Sequence, residues 1–176
     1  MNEGRPVEQA AGQSPISIDP SFDETARTGD RGRVGEASDR LIWKIAQAEV
    51  LYYRLVLVTA PSGAGKTRLL QEVSKRTGAP LLNINLELSH RMLDLTRRQR
   101  AMQSPGLLSE TVYETKSNVV LLDNIELLFD VELKQDPLRI LQGISRNKTI
   151  VAAWNGSVIG GYLWLCHAWA LRVQAL

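Results

Sequence analysis

The chain has 176 residues, of which 44% are hydrophobic and 23% are charged, a balance typical of one globular domain. The net charge of +2 at pH 7 is too small to indicate nucleic-acid binding by itself. Residues 1–40 carry eight acidic and five basic side chains, whereas residues 41–176 carry eleven and sixteen, so the larger part suits a polyanionic ligand. The single cysteine, Cys166, excludes an internal disulfide and favours a reducing compartment.

No apolar stretch of the sequence is long enough for a membrane helix. The longest one, over residues 158–171, contains His167 and is shorter than the ~20 residues that such a helix needs. The N-terminus lacks the apolar core of a secretory signal. We therefore predict a cytoplasmic location and no membrane contact.

Residues 1–37 differ in composition from the rest of the chain. They are rich in glycine, proline, serine and charge, and they hold too few large apolar side chains to offset the entropy lost on ordering. We predict a disordered leader over 1–37, either dispensable or a partner-binding arm, and one folded domain over 38–176.

Helices and strands alternate in the predicted chain order. Ser38 is typical of a helix N-cap, Gly78 of a helix end, and Pro137 of a first helical turn. The strands are continuous apolar runs, which favours a parallel sheet covered on both faces, the three-layer α/β architecture. Residues 87–105 show no clear period. The predicted strands are 55–59, 81–86, 119–122, 149–154 and 162–166, and the predicted helices are 38–52, 66–77, 107–116 and 137–146.

A glycine-rich loop lies between the first of these strands and the next helix. Its sequence, APSGAGKT at 60–67, is the P-loop pattern with alanine in place of the first glycine. Glycines let the backbone curl so that successive N–H groups face phosphate, and the helix N-terminus adds its positive end. The strand–loop–helix context favours this interpretation over an incidental glycine turn. The residues predicted to bind phosphate are Pro61, Ser62, Gly63, Ala64, Gly65, Lys66, Thr67 and Arg68.

Two carboxylates near the third strand are candidates for magnesium binding and catalysis. The apolar strand ends in Asp123, and P-loop proteins place such a strand beside the loop strand, so we predict that Thr67 and Asp123 hold Mg²⁺. The next residue, where many AAA+ ATPases carry glutamate, is Asn124, which cannot act as a base. Glu126 is the next carboxylate and faces either the site or solvent. Hydrolysis by this chain alone therefore stays open.

The fourth strand also ends in a polar residue. Asn155 follows the apolar run 149–154, at the position where AAA+ proteins carry the residue called sensor 1, and Asn-Gly is also a common turn. With Lys66 and Glu126, we take Asn155 as a catalytic candidate.

The densest basic stretch precedes the third strand and has three open interpretations. It is a solvated surface, a DNA or phosphate contact, or the source of an arginine for the nucleotide of a neighbouring copy in a homo-oligomer. The side chains are His90, Arg91, Arg97, Arg98 and Arg100.

Three segments carry a family resemblance: LLDNIELLFD at 121–130, KQDPLRILQ at 134–142, and SRN at 145–147 leading to VAAWNG at 151–156. They resemble the BrxF family, small P-loop proteins of bacteriophage exclusion (BREX) defence systems. The resemblance extends over residues 40–157, so the leader and the apolar end of the chain lie outside it.

The resemblance implies a cytoplasmic component of a multiprotein phage-defence system that binds ATP and Mg²⁺. It implies phosphate binding by Gly63, Gly65, Lys66 and Thr67, and magnesium binding by Asp123. From the sequence as a whole we predict an AAA+-like core without a clear helical lid. We expect ATP to gate assembly or activity, with slow hydrolysis. The alternatives are a nucleotide or nucleoside kinase and a DNA-binding adaptor that uses nucleotide structurally.

Overall fold

Helices and strands alternate along the folded chain. The computed structural model describes residues 16–18, 30–159, 162–165 and 173–174, and these form an α/β fold. The strands are β1 (Ile16–Ile18), β2 (Leu55–Ala60), β3 (Leu81–Asn83), β4 (Val119–Asp123), β5 (Thr149–Ile159), β6 (Tyr162–Leu165) and β7 (Val173–Gln174). The helices are α1 (Asp30–Ala48), α2 (Lys66–Thr77), α3 (Ile84–Arg91), α4 (Arg97–Tyr113) and α5 (Pro137–Ile144). Two 3₁₀ turns, Glu126–Phe129 and Val131–Leu133, lie between β4 and α5.

Four parallel strands form the centre of the sheet, in the order β2-β5-β4-β3. The predicted parallel sheet is confirmed for these strands. The short β1 pairs parallel with the other side of β2, whereas β6 pairs antiparallel with the end of β5. Because the four central strands run in one direction, their carboxyl ends meet at one edge, where ligands bind in open α/β sheets.

Helices cover both faces of this sheet, so the predicted three-layer architecture is consistent with the structure. Successive strand side chains point to opposite faces, and each face therefore has its own apolar cluster. The first cluster joins β2 to α1 and α2 and includes Leu41, Val56, Val58, Leu70 and Val73. The second joins the sheet to α3, α4 and α5 and includes Leu57, Leu88, Leu108, Leu141 and Trp154.

The position of the acid strand β4 corrects one expectation. It does not pair with β2, because β5 lies between them, pairing with β2 as far as Ala60 and Asn155 and with β4 on its other side. The local sequence does not encode the order, since a crossover helix can carry the chain past any number of strands. The expectation that the strand of Asn155 lies beside the acid strand is confirmed. Asn155 is not in a turn, because β5 continues and Gly156 pairs with Leu165.

Helix α1 begins earlier than the sequence indicated. It starts at Asp30, so Ser38 is inside the helix rather than its N-cap, and its hydroxyl donates to the Val34 carbonyl at 2.7 Å. Serine makes such a bond four residues back when it lies within a helix. Residues 16–18 and 30–37 are thus strand and helix, which departs from a disordered leader; the remainder of 1–37 lies outside the described residues.

The second predicted strand is correct over its first half only. β3 stops at Asn83, and helix α3 starts at Ile84 within the run predicted as strand 81–86. The cause is a cap: the Asn83 side chain accepts from the Leu86 amide at 3.1 Å and satisfies one of the first donors of the helix. The apolar run of leucine and isoleucine alone does not distinguish strand from helix.

Helix α4 spans much of the stretch that had no assignment. It starts at a capping box in which Thr96 and Gln99 bond each other's backbone amides. Pro105 lies inside the helix and cannot donate to the carbonyl of Ala101. The side-chain amide of Gln135 donates to that carbonyl at 2.7 Å, which compensates the loss and explains why the helix continues.

The remaining elements agree with their predictions within a few residues. Helix α2 spans the predicted range, and its Gly78 cap has a φ of 72° and donates to Ser74. Helix α5 ends at Ile144, two residues before the predicted end. Cys166 and His167 lie outside the described residues, as does most of the segment where a helical lid would follow. The predictions made for them, a reducing compartment, no membrane helix and no clear lid, therefore stay predictions. Within the described ranges, no helix has the length and apolarity needed to span a membrane.

Candidate functional site

The glycine loop (Ala60–Thr67) joins β2 to α2 at the carboxyl edge of the sheet. Gly63 and Gly65 have φ angles of 81° and 85°, in the left-handed region where any Cβ is strained. The Ala64 amide donates to the Pro61 carbonyl at 3.3 Å and closes the turn. The N-cap of α2 is Gly65, which has no side chain to bond the first amides of the helix, so those donors suit an anion.

Lys66 is held inside this loop. It is only 8% exposed, and its ammonium donates to the carbonyls of Ala60 at 2.8 Å and Pro61 at 2.7 Å. A buried charge needs such partners, and these two carbonyls hold the ammonium at the centre of the loop. The cation therefore lies within the glycine loop rather than in solvent.

Asp123 lies two strands away from β2, at the carboxyl end of β4. Its side chain is buried, with 6% exposed. The next residue, Asn124, has a φ of 51°, a left-handed conformation that asparagine tolerates better than most residues. The backbone turns sharply here, and the chain enters the 3₁₀ turn that begins at Glu126.

Glu126 is at the centre of a small polar network. The side-chain amide of Asn155 donates to one carboxylate oxygen of Glu126, and the side-chain amide of Asn85 donates to the other at 3.3 Å. Asn85 also accepts from the Leu127 amide at 2.7 Å and donates its own backbone N–H to Asn124 at 2.9 Å. Three segments of the chain thus fix one carboxylate at the edge of the sheet.

One cavity brings most of the predicted site residues together. Its volume is about 880 Å³, within the usual range for ligand sites. Of the predicted residues, Pro61 and Ala64 do not line it; their backbone groups close the loop turn instead. Glu126 is exposed and lines the cavity, so it faces both the site and solvent. The predicted residues that line the cavity are Ser62, Gly63, Gly65, Lys66, Thr67, Arg68, Asp123, Glu126 and Asn155.

The donor set of this cavity fits a magnesium ion that is bound together with phosphate. The described residues contain no group of three or more histidine, cysteine or acidic side chains able to hold a metal. Nucleotide sites do not need one, because Mg²⁺ there takes one or two carboxylates, substrate phosphates and water. Thr67 and Asp123 both line the cavity and offer a hydroxyl and a carboxylate.

The arginine-rich stretch is largely held by contacts within the chain. Arg91 pairs with Glu114 at 2.5 Å, and this hydrogen bond raises the pKa of Arg91. Arg97 pairs with Glu132 at 3.2 Å, and Arg100 donates to the Leu95 carbonyl at 2.9 Å. No arginine of this stretch is among the described residues that line the cavity. The structure therefore gives no support to a contact between these arginines and a phosphate bound in the same chain's cavity.

Comparison with known proteins found no matching family model, no matching curated protein and no matching solved structure.

The sequence did not reveal two parts of the site. Asn85 was hidden in a run predicted as strand, and its contacts come from a helix that starts at an asparagine cap. Val34 and Gly35 were assigned to the leader, yet they line the cavity from α1. The Asn-x-Asn spacing of Asn83 and Asn85 was the one available signal, since asparagine caps helices and tolerates turns.

Proposed function

We propose that this chain binds ATP with Mg²⁺ at the glycine loop, hydrolyses it slowly, and uses the bound nucleotide to gate a bacterial phage-defence complex. The observation that carries the proposal is the convergence of Lys66, Asp123 and Asn155 on one cavity. They come from the amino end of α2, the carboxyl end of β4, and the point on β5 where its pairing with β2 ends. A P-loop of the AAA+-like type accounts for this arrangement.

The loop supports phosphate binding by elementary electrostatics. The amino end of α2 carries partial positive charge, and Lys66 adds a full one, so a triphosphate would replace backbone carbonyls as the partner of the ammonium. Mg²⁺ would be held by Thr67, with Asp123 beside it, and would neutralise phosphate charge. Nucleotide and metal are thus expected to bind together.

Glu126 supports slow hydrolysis rather than fast turnover. A general base must accept a proton from water, and Glu126 is the carboxylate next to Asp123 on the cavity wall. Both of its oxygens already accept hydrogen bonds from Asn85 and Asn155. The two amides hold this carboxylate in place, and Asn124, next to Asp123, supplies no second base, so slow turnover is expected.

The phage-defence role rests on the resemblance of residues 121–156 to the BrxF family. The DNA-adaptor alternative has weaker support, because Arg91 and Arg100 are held by contacts within the chain. Arg97, in a solvent-exposed pair with Glu132, and Arg98 are the arginines of this stretch that stay open to solvent, and two arginines are a weak basis for DNA binding.

The test is ATP binding and turnover by the purified chain with Mg²⁺, for the wild type, Lys66→Ala and Glu126→Gln. We expect Lys66→Ala to weaken binding by about 10–100-fold, since it removes a charge-assisted hydrogen bond. We expect Glu126→Gln to retain binding and to lower turnover by about 10²–10⁴-fold. Calorimetry gives the affinities, and ADP release gives the rates.

Lys116→Ala and Glu49→Gln are the matched controls, because both side chains are exposed and neither lines the cavity. Normal ATP binding by a folded Lys66→Ala chain would contradict the proposal. In cells, a Lys66→Ala chain that still supports phage resistance would contradict the gating role alone.

A further inference from the structure

The amino edge of the central sheet, opposite the glycine loop, carries exposed aromatic side chains. The loop before β2 and the turn before β5 meet there, because the Arg54 N–H donates to the Ser145 carbonyl at 2.9 Å. Tyr52 lies in that loop and is 59% exposed. Tyr113 is the last residue of α4 and is 40% exposed. Both rings therefore present a large part of their surface to solvent at the same edge.

The turn before β5 joins these rings into a row. The Arg146 guanidinium lies 5.5 Å from the centre of the Tyr52 ring and 5.8 Å from that of Tyr53, within cation–π reach of both. The side-chain amide of Asn147, the next residue, donates to the Tyr113 hydroxyl at 3.4 Å. Rings, a cation and an amide thus follow one another along the edge. We call these five residues the tyrosine row.

Contacts within the chain hold the tyrosine row in position. The rings of Tyr52 and Tyr53 meet edge to face, with their centres 4.7 Å apart. The Tyr113 hydroxyl donates to the Ile144 carbonyl at 3.3 Å. The Lys148 ammonium lies 5.6 Å from the Tyr113 ring centre and donates to carbonyls just after α4. Because the rings are already ordered, a ligand that stacks on them loses less affinity to ordering of the protein.

The charge around the tyrosine row is positive. Arg54 and Lys148 directly precede the adjacent strands β2 and β5, so with Arg146 they place three cations at this edge. The acidic side chains nearest to the row in sequence are Glu49 and Glu114, and Glu114 already pairs with an arginine of α3. Among the described residues, no carboxylate forms an ion pair with Arg146. The edge therefore suits a ligand that combines negative charge with flat rings.

We propose that the tyrosine row binds single-stranded nucleic acid, with bases stacked on the exposed tyrosine rings and a phosphate at Arg146. Tyrosine rings stack on any base, and an arginine adds charge and a planar surface of its own. Asn147 offers a donor and an acceptor to a base edge. A duplex fits less well, because its bases are stacked on each other and have no open face for a ring.

This inference does not rest on ATP binding, because the tyrosine row and the glycine loop lie at opposite edges of the sheet. It also uses a different surface from the arginine-rich stretch before β4. The chemistry of stacked bases and phosphate is shared by DNA and RNA, so the experiment includes both.

The experiment measures the fluorescence anisotropy of labelled oligothymidylate and oligouridylate, each of about 20 residues, with the full chain and no added nucleotide. Binding in the micromolar range is expected, and a DNA duplex of the same length is expected to bind at least about fivefold more weakly. Tyr52→Leu is expected to weaken binding by about tenfold, because leucine keeps apolar bulk and lacks a ring face. Tyr52→Phe keeps that face and is expected to stay within about twofold of the wild type.

Arg146→Ala tests the phosphate contact. It is expected to weaken binding by about threefold to tenfold and to reduce the slope of log affinity against log salt by about 0.7. Arg139→Ala is the matched control, because Arg139 is exposed on α5, outside the tyrosine row, and its loss changes the net charge equally. The control is expected to bind like the wild type.

Three results would overturn the inference. The first is no binding of either oligonucleotide at about 100 µM of folded chain. The second is equal binding by Tyr52→Leu and Tyr52→Phe, since stacking would then contribute nothing. The third is an equal loss in Arg146→Ala and Arg139→Ala, since only the net charge would then matter. Binding of either strand with the expected variant effects supports the inference, and the tighter strand identifies the sugar.

Thermal unfolding monitored by circular dichroism establishes that each variant folds, and the two arginine variants decide the question if Tyr52→Leu does not fold. ATP binding by Tyr52→Leu and Arg146→Ala is expected to match that of the wild type. The two proposals can therefore fail separately: loss of oligonucleotide binding leaves ATP binding unaffected, and a wild type that binds oligonucleotide but no ATP contradicts the proposed function alone.

Discussion

The two ends of the cavity are built in different ways. The glycine loop is one continuous motif, and its conformation follows from residues that are neighbours in sequence, such as Gly63 and Gly65 with their positive φ angles. The other wall of the cavity is lined by Val34 and Gly35 of α1 and by Gln71, Glu72 and Lys75 of α2. It joins residues about 40 positions apart, and an ion pair between Arg76 and Asp39 links the two helices. The glycine loop can be predicted from the sequence, whereas the wall between α1 and α2 forms only when the two helices pack together.

This difference has an energetic counterpart. At the loop, an ammonium and the amides of a helix N-terminus are collected in one motif, whereas the wall between α1 and α2 carries neutral side chains and charges of both signs. Changes at the loop end are therefore expected to have the largest effects on binding or chemistry. Changes in the assembled parts of the molecule are expected to alter affinity, rate or stability by smaller factors.

The largest expected effect in this comparison is at Asp123. Asp123→Asn keeps the size of the side chain and removes its charge, so it is expected to weaken ATP binding in Mg²⁺ by roughly 10–100-fold. In EDTA the variant is expected to bind ATP no worse than the wild type, because a negative charge near the phosphates has been removed. Calorimetry with and without Mg²⁺ measures both.

Asp94→Asn is the control, because Asp94 is exposed and does not line the cavity. If Asp123→Asn weakens ATP equally in Mg²⁺ and in EDTA, the carboxylate acts on folding or shape and not on a metal. The glycine loop would then lack the magnesium-binding carboxylate that its motif predicts.

The contact between Asn85 and Glu126 forms only in the folded protein, and it positions a carboxylate at the cavity. Asn85→Ala removes a donor to Glu126 and the acceptor of the Leu127 amide. Turnover is expected to fall roughly tenfold through loss of positioning, and the protein to lose about 1–2 kcal/mol of stability. ATP affinity is expected to stay near that of the wild type, since Asn85 does not line the cavity. ADP release, calorimetry and urea unfolding measure the three quantities.

Asn118→Ala, at an exposed position before β4, is the control for loss of an amide. A turnover that rises in Asn85→Ala would show that Asn85 restrains Glu126 instead of positioning it. Unchanged turnover and stability would mean that the network contributes to neither.

The same contrast decides how much of the molecule was predictable. The strand, loop and helix from β2 through α2 were predictable because apolar runs, glycines and a cap act over a few residues. The place of β5 between β2 and β4 was not, since strand order depends on packing between distant segments. The first turns of α1 were missed for a related reason: residues 30–37 have little apolar character, and contacts such as Arg76 to the Gly35 carbonyl hold them.

Helix α4 shows how a contact with a distant residue can override a local sequence signal. Pro105 is a local signal to end a helix, yet the helix continues from Arg97 to Tyr113. The contact that compensates it comes from Gln135, 34 residues away, whose side chain reaches the Ala101 carbonyl. No local pattern indicates such a partner, which is why the prediction began the helix only at residue 107.

The smallest expected effect tests this compensation directly. Gln135→Ala is expected to lower the free energy of unfolding by about 1 kcal/mol, because it leaves the Ala101 carbonyl without its donor. In a Pro105→Ala background the same change is expected to cost less, since the restored backbone N–H at position 105 can bond that carbonyl. Urea unfolding of the four proteins gives the coupling, and Gln103→Ala, exposed on the same helix, controls for loss of an amide. An equal cost of Gln135→Ala in both backgrounds would mean that Gln135 acts through other contacts, and that α4 accommodates its proline without help from a distant segment.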